Sequence, residues 1–373
     1  MGNSGILPVG KEGTLGAIRG LLANLLEKKL VDALLVPLEL PGGGNVVPTL
    51  VTSLDAFEAV NPLAPVMPVN SARLIAMLTG KSPSPKKLGI VMRPCELRAL
   101  IELVKLKQAS LDNLLLIGID CAGTYSVTDY GKLAKENSFL LENLLSNFNE
   151  GKEDPRLRKA CQICESPIPM IADITIGLVG MDIDTGVILE AKTESGKMII
   201  EALGLKEGNA EGRGTAVARL LSRQTEKRES LFKQIQSEIS GLDNLKSTLA
   251  ACVSCHNCRA ACPLCYCREC FFDSPLFNFE AEKYLVWAER KGALRMPTDI
   301  LLFHMTRLNH MAASCVGCGM CTEACPNKVP VFDLFRLVGY QVQKSLDYVP
   351  GKSLEEELPL TTFREEELGE VGL

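Results

Sequence analysis

Leu88-Gly89-Ile90-Val91-Met92-Arg93-Pro94-Cys95-Glu96-Leu97-Arg98, followed by Leu114-Leu115-Leu116-Ile117-Gly118-Ile119-Asp120-Cys121, reads as one βαβ unit. Two apolar runs of strand length flank a helix that opens at Pro94, where a missing backbone N–H costs nothing, and Glu96 falls in its first turn. A right-handed crossover makes the two strands parallel and, if they are neighbours, brings their carboxyl ends to one edge of the sheet. Cys95 and Cys121 lie just past those ends and are expected to face one crevice.

The stretches around this unit fit the same α/β reading. Leu15, Ile18, Leu22 and Leu25 repeat at helical spacing, Val31 to Val36 forms a short strand ending at Pro37, and Pro41-Gly42-Gly43-Gly44 is a turn. Strand-like residues return from Ala172 to Leu189, and Thr193-Glu194-Ser195-Gly196 opens another helix. A charged stretch from Glu207 to Arg228 leads into a polar helix ending near Gly241, taken as the linker. The expected organisation is an α/β (α+β) domain over 1–240, an α-helical domain over 241–350 and an acidic tail over 351–373, with Glu355, Glu356, Glu357, Glu365, Glu366 and Glu367.

The helical domain carries Cys252-x2-Cys255-x2-Cys258-x3-Cys262-Pro263 and Cys315-x2-Cys318-x2-Cys321-x3-Cys325-Pro326. In two-cluster ferredoxins with this spacing, the fourth cysteine of each run ligates the other run's [4Fe–4S] cluster. Cys252, Cys255, Cys258 and Cys325 are therefore expected to hold one cluster, and Cys315, Cys318, Cys321 and Cys262 the other. Zinc needs only four tetrahedral thiolates and explains neither the third close cysteine nor the repeated Cys-Pro. Between the runs, Pro297-Thr298-Asp299 starts a helix whose apolar face is Leu301, Met305, Leu308 and Ala312, and Phe332, Phe335 and Val338 mark another after the second run. Cys265, Cys267 and Cys270 are left over, for a further cluster, a zinc site or plain reduced thiols. Cys95, Cys121, Cys161 and Cys164 make up the number a third cluster needs, with buried unliganded cysteines as the alternative for Cys95 and Cys121.

The chain has 40 basic and 45 acidic residues and no Lys/Arg-rich block, which argues against a nucleic-acid partner. No apolar run is long enough to span a bilayer, and no signal peptide is readable. Fifteen cysteines at metal-site spacings then point to the reducing cytoplasm. His256, His304 and His310 are the only histidines; His256 is expected near a cluster or in solvent, and the other two at ordinary polar helix positions. No catalytic residue set is readable.

Arg93-Pro94-Cys95-Glu96-Leu97-Arg98-Ala99-Leu100, then Ile117 to Gly123, then Cys161-Gln162-Ile163-Cys164 resemble, in order and spacing, the beta subunit family of coenzyme F420-reducing hydrogenases and formate dehydrogenases. The resemblance covers roughly residues 10–235. It implies an FAD-binding oxidoreductase subunit with one [4Fe–4S] cluster on Cys95, Cys121, Cys161 and Cys164, and with Gly13, Thr14, Asn70, Ser71 and Arg93 in flavin-proximal loops. It also implies a catalytic formate dehydrogenase or hydrogenase subunit as partner. The cysteine-rich domain resembles the α-helical ferredoxin domains of heterodisulfide reductase and of the succinate dehydrogenase iron–sulfur protein. The first of these implies heterodisulfide-reductase-like partners and an electron-bifurcating complex. Lys11-Glu12-Gly13 stands where many family members carry a Cys-Gly-Gly-like sequence, so use of the deazaflavin, of NAD(P) or of another soluble redox carrier stays open. A flavin-free wiring or scaffold subunit is the alternative, and a zinc-binding interaction module a more distant one.

Overall fold

A computed structural model describes residues 4–136, 140–152, 154–208, 210, 212–277, 280–292, 298–359 and 361–362. Pro297 and Glu365 to Glu367 lie outside the described residues. Contacts divide the chain into two compact units: one takes residues up to Ser230, Val316–Gly319 and the stretch from Pro350, the other Leu231–Cys315 and Met320–Val349.

The first unit is built on a mixed sheet of eight strands in the order β3-β2-β4-β5-β6-β7-β1-β8. These are β1 (Ser4–Pro8), β2 (Ala33–Glu39), β3 (Val46–Val51), β4 (Leu88–Met92), β5 (Leu114–Ile119), β6 (Ile174–Gly177), β7 (Gly186–Ala191) and β8 (Lys206–Glu207). Its helices are α1 (Gly13–Glu27), α2 (Ser71–Thr79), α3 (Pro94–Lys105), α4 (Val127–Glu136), α5 (Leu140–Glu150), α6 (Lys159–Gln162) and α7 (Glu194–Leu203), and α8 (Arg213–Ile239) starts in it. The βαβ unit forms as read: β4 and β5 pair in parallel from Leu88↔Leu114 to Met92↔Gly118, with α3 as the crossover. β6 extends the parallel set through Ile117↔Ile174. Ile18, Leu22 and Leu25 of α1 are fully buried in the sheet's core, each worth about 1.5–3 kcal/mol relative to exposure.

Three stretches differ from the reading of the sequence. β2 continues through Pro37, which pairs with Pro48 of β3; the parallel ladder with β4 has already ended at Leu35, so no bond on that side needs the missing N–H. The charged stretch before Arg228 is no loose linker: α8 runs 27 residues and buries Arg213, Leu220, Gln224 and Arg228. The chain from Pro350 returns onto α3, where Gly351 N–H donates to Glu102 Oε1 at 2.8 Å and Arg98 Nε donates to the Pro350 carbonyl at 2.8 Å.

The second unit is helical: α9 (Leu242–Leu249), α10 (Asn257–Ala261), α11 (Ala281–Lys291), α12 (Thr298–Met311), α13 (Met320–Glu323) and α14 (Val331–Ser345). Gln343 of α14, itself buried, donates to the carbonyls of Ala312 (2.8 Å) and Cys315 (2.9 Å), tying the end of α12 to the start of the second cysteine run. None of the described helices is long and apolar enough to cross a membrane.

Asp120, at the end of β5 and next to Cys121, is held by the backbone N–H groups of Leu178 (2.8 Å) and Val179 (2.9 Å) and by Arg213 at 2.6 and 3.1 Å. Both members of this ion pair are buried. Arg213→Ala leaves the carboxylate buried and unpaired and is expected to cost about 3–5 kcal/mol in urea unfolding, whereas Asp120→Asn with Arg213→Met together should cost much less.

Candidate metal centres

The common carboxyl edge of β4, β5 and β6 gathers the four cysteines of the first unit. Cys95 sits in the first turn of α3, Cys121 follows β5 with its N–H bonded to the Pro167 carbonyl, and Cys161 lies in the single turn of α6. Together with Cys164 they line one cavity, shared with Arg93, Arg158, Ser166, Gln224, Gly317 and Cys318. Gly123 has φ 102°, and a Cβ there would come within 3.3 Å of Cys161 Cβ, so only glycine lets this loop close on the site.

Burial pushes the thiols of Cys95 and Cys121 up and that of Cys164 up to about 12, because the interior disfavours the thiolate. The mutual proximity of the thiols adds to this, while the Arg93 and Arg158 charges pull Cys121 back down. Arg158 also donates to Cys161 Sγ at 3.7 Å and to Thr124 Oγ1 at 2.7 Å, and Thr124 Oγ1 lies 3.3 Å from the same sulfur. Four half-buried thiols with arginines among them are a donor set suited to an anionic thiolate cluster, whose irons stabilise the deprotonated form. Among the described residues no three Cys, His, Asp or Glu are close enough for a single metal ion.

Of the residues expected in flavin-proximal loops, Asn70, Ser71 and Arg93 come together beside Glu96. Its carboxylate accepts from Ser71 N–H at 2.8 Å and from Arg93 N–H at 3.0 Å, the second bond being the acidic half of a capping box at the start of α3. Asn70 caps α2 through Oδ1, and its buried Nδ2 has no partner among the described residues. Gly13 and Thr14 follow β1, at the same sheet edge but four strand spacings from β4, about 19 Å. The Thr14 hydroxyl already donates to the Ile183 carbonyl at 2.7 Å.

The two cysteine runs share one backbone course. Ser254 and His256 of the first have φ 53° and 55°; Gly317 and Gly319, at the matching positions of the second, have φ 70° and 73°. A left-handed residue on each side of the middle cysteine bends the chain so that three cysteines two residues apart can face one centre, at about 1–2 kcal/mol for each non-glycine residue. In the second unit, Cys325 is close enough to Cys252 and Cys258 for its charge to raise the pKa of each, although burial is the larger cause for both. Cys318 and its loop cluster with the first unit, where Cys318 raises the pKa of Cys95.

The leftover cysteines do not form a set of their own. Cys265 pairs with Cys262, Cys270 packs on the Cys258–Phe272–Phe303 core, and Cys267 is exposed. The hydrogen bond from Cys265 pulls the pKa of Cys262 down, and Cys265 is pushed up in return.

Residues 85–211 match the family described as the C terminus of the coenzyme F420 hydrogenase/dehydrogenase beta subunit, and residues 248–329 match a 4Fe-4S dicluster domain. All four cavity cysteines fall inside the first matched stretch, and both cysteine runs inside the second. The F420-dependent formate dehydrogenase subunit beta of Methanocaldococcus jannaschii is 29% identical over 371 residues, covering 90% of this chain and 91% of that protein. The F420-dependent formate dehydrogenase 1 subunit beta of Methanococcus maripaludis is 27% identical over 372 residues, covering 90% of each. A chain of the F420-reducing [NiFe] hydrogenase complex from Methanosarcina barkeri aligns with TM-score 0.46 at 13% identity, over 64% of this chain and 93% of its own.

Three features of the site were not read from the sequence. Arg158 could have been found as an arginine three residues before a ligand-spaced cysteine. The place of Cys318 beside Cys95 has no local signal. His304 is not an ordinary polar position: it is buried, its Nε2 lies 3.4 Å from Cys252 Sγ, and burial first, then the Arg307 charge, lowers its pKa to about 4, which keeps the ring neutral at pH 7. His256 does hydrogen-bond, to Asp273 at 3.1 Å, and stacks on Phe303.

The shared loop geometry predicts that Gly317→Val lowers iron content, because a β-branched residue does not adopt φ near 70° without strain, whereas Ser254→Gly retains it. Iron assay of the anaerobically purified variants checks both.

Proposed function

We propose that this chain is the iron–sulfur electron-transfer beta subunit of a formate dehydrogenase or hydrogenase-type oxidoreductase, with formate or hydrogen activated on a partner subunit. The single observation that carries the reading is the cavity in which Cys318 of the second ferredoxin run stands with Cys95, Cys121, Cys161 and Cys164. It supports a relay in which the cluster on those four cysteines neighbours a ferredoxin cluster. The near full-length similarity to two formate dehydrogenase beta subunits supports the reaction class, and their names supply coenzyme F420 as the proposed soluble carrier.

FAD is part of the proposal: when bound, it would exchange electrons in pairs, and the [4Fe–4S] clusters would move them singly. Asn70, Ser71 and Arg93 would hold it, and the unpartnered Asn70 Nδ2 offers a buried donor. Arg93 also lines the cysteine cavity, so a group bound there would lie next to the cluster ligands. Docking to heterodisulfide-reductase-like, bifurcating partners rests on the helical character of the ferredoxin unit. A flavin-free wiring subunit is the second reading, favoured by the Thr14 hydroxyl being already committed to Ile183.

Anaerobic purification of the full chain is expected to yield about twelve irons from three [4Fe–4S] clusters, together with released FAD. A redox titration with a two-electron flavin transition supports the first reading, and cluster transitions alone support the second. Reduction by formate-reduced partner complex in the presence of coenzyme F420 or NAD(P) separates the carriers.

A further inference from the structure

α12 turns Ile300, Phe303, His304, Arg307 and Met311 inward, so an arginine and a histidine sit among apolar side chains on the buried face. Arg307 is 4% exposed, and its guanidinium lies 4.6 Å over the ring of Phe335. Among the described residues its buried Nε and Nη1 find no hydrogen-bond partner, and no carboxylate pairs with it. A buried cation in that condition is costly unless an anion that the side chains alone do not supply stands beside it.

The groups beside it are sulfurs. Arg307 is close enough to Cys262 and Cys265 for its charge to act on both thiols. Cys258 and Cys321 pack in the cluster of Phe303, one helical turn before Arg307 on the same buried face of α12. In the crossed ligand scheme Cys258 belongs to one cluster, and Cys262 and Cys321 to the other. One guanidinium therefore faces the ligands of both.

We infer that Arg307 is a shared tuning residue: a buried fixed cation, short of hydrogen-bond partners and set among the ligand sulfurs of both ferredoxin clusters, that raises the reduction potential of each. The inference rests on the reading that the two cysteine runs hold [4Fe–4S] clusters. Adding an electron makes a cluster more negative, so a cation close by in a low-dielectric interior favours the reduced state, and hydrogen bonds to sulfur act in the same direction. Arginine suits the position because it stays charged when buried, where a lysine more readily loses its proton. Phe335 holds the guanidinium plane in place through the cation–π contact.

The test is a potentiometric titration followed by EPR on the iron-loaded full chain, comparing wild type with Arg307→Gln and Arg307→Lys. Arg307→Gln should make reduction of both ferredoxin clusters about tenfold less favourable, about 59 mV for a one-electron couple, and leave the cluster on Cys95, Cys121, Cys161 and Cys164 unchanged. Arg307→Lys should shift both by less. Unchanged potentials in a fully iron-loaded Arg307→Gln protein, or a shift in only one cluster, overturn the inference. If Arg307→Gln loses iron, the lysine variant decides: retained iron with near-native potentials supports the charge role, and equal iron loss with native circular dichroism overturns it. Absence of cluster signals from the wild-type chain removes the ferredoxin reading itself, and this inference with it.

Discussion

A buried thiol does not ionise unaided, and that constraint organises this chain. Cys95, Cys121 and Cys164 are all pushed up in pKa by burial, yet a cluster ligand must be a thiolate. The surroundings of the cysteines are arranged accordingly. Arg93 and Arg158 attend Cys121 and Cys161 in the first unit; His304 and Arg307 attend Cys252 and Cys262 in the second. The rest of each unit positions these side chains: the parallel strands bring the first set to one edge, and left-handed residues bend each ferredoxin run around its middle cysteine.

Much of this was legible in the sequence. The βαβ unit announced itself through two short apolar runs, a proline at the first helical position and an acidic residue in the first turn, all local signals of one topology. The placement of Cys95 and Cys121 at one edge followed from a right-handed crossover once β4 and β5 are neighbours, as they are. The two ferredoxin runs were legible because their spacing repeats, and the dicluster domain covers both.

What the sequence concealed was polarity turned inward. On α12 the apolar face read as Leu301, Met305, Leu308 and Ala312, yet the more deeply buried stripe includes His304 and Arg307, which periodicity assigns to solvent. α8 was obscured in the same way: its charged residues looked like a linker, while Arg213 and Arg228 are buried because Asp120, Glu190 and Glu165 pair with them. Cys318 raised a different difficulty. Its loop belongs by contacts with the first unit although both flanking segments belong to the second, and chain order carries no sign of that.

Cluster ligation that crosses between the two runs is the central claim, and the EPR spectrum of the dithionite-reduced Cys325→Ser chain tests it most directly. The account predicts that this spectrum lacks the same component that is missing from Cys255→Ser and keeps the one that is missing from Cys321→Ser. Loss of the Cys321 component instead, with the Cys255 component intact, would contradict it.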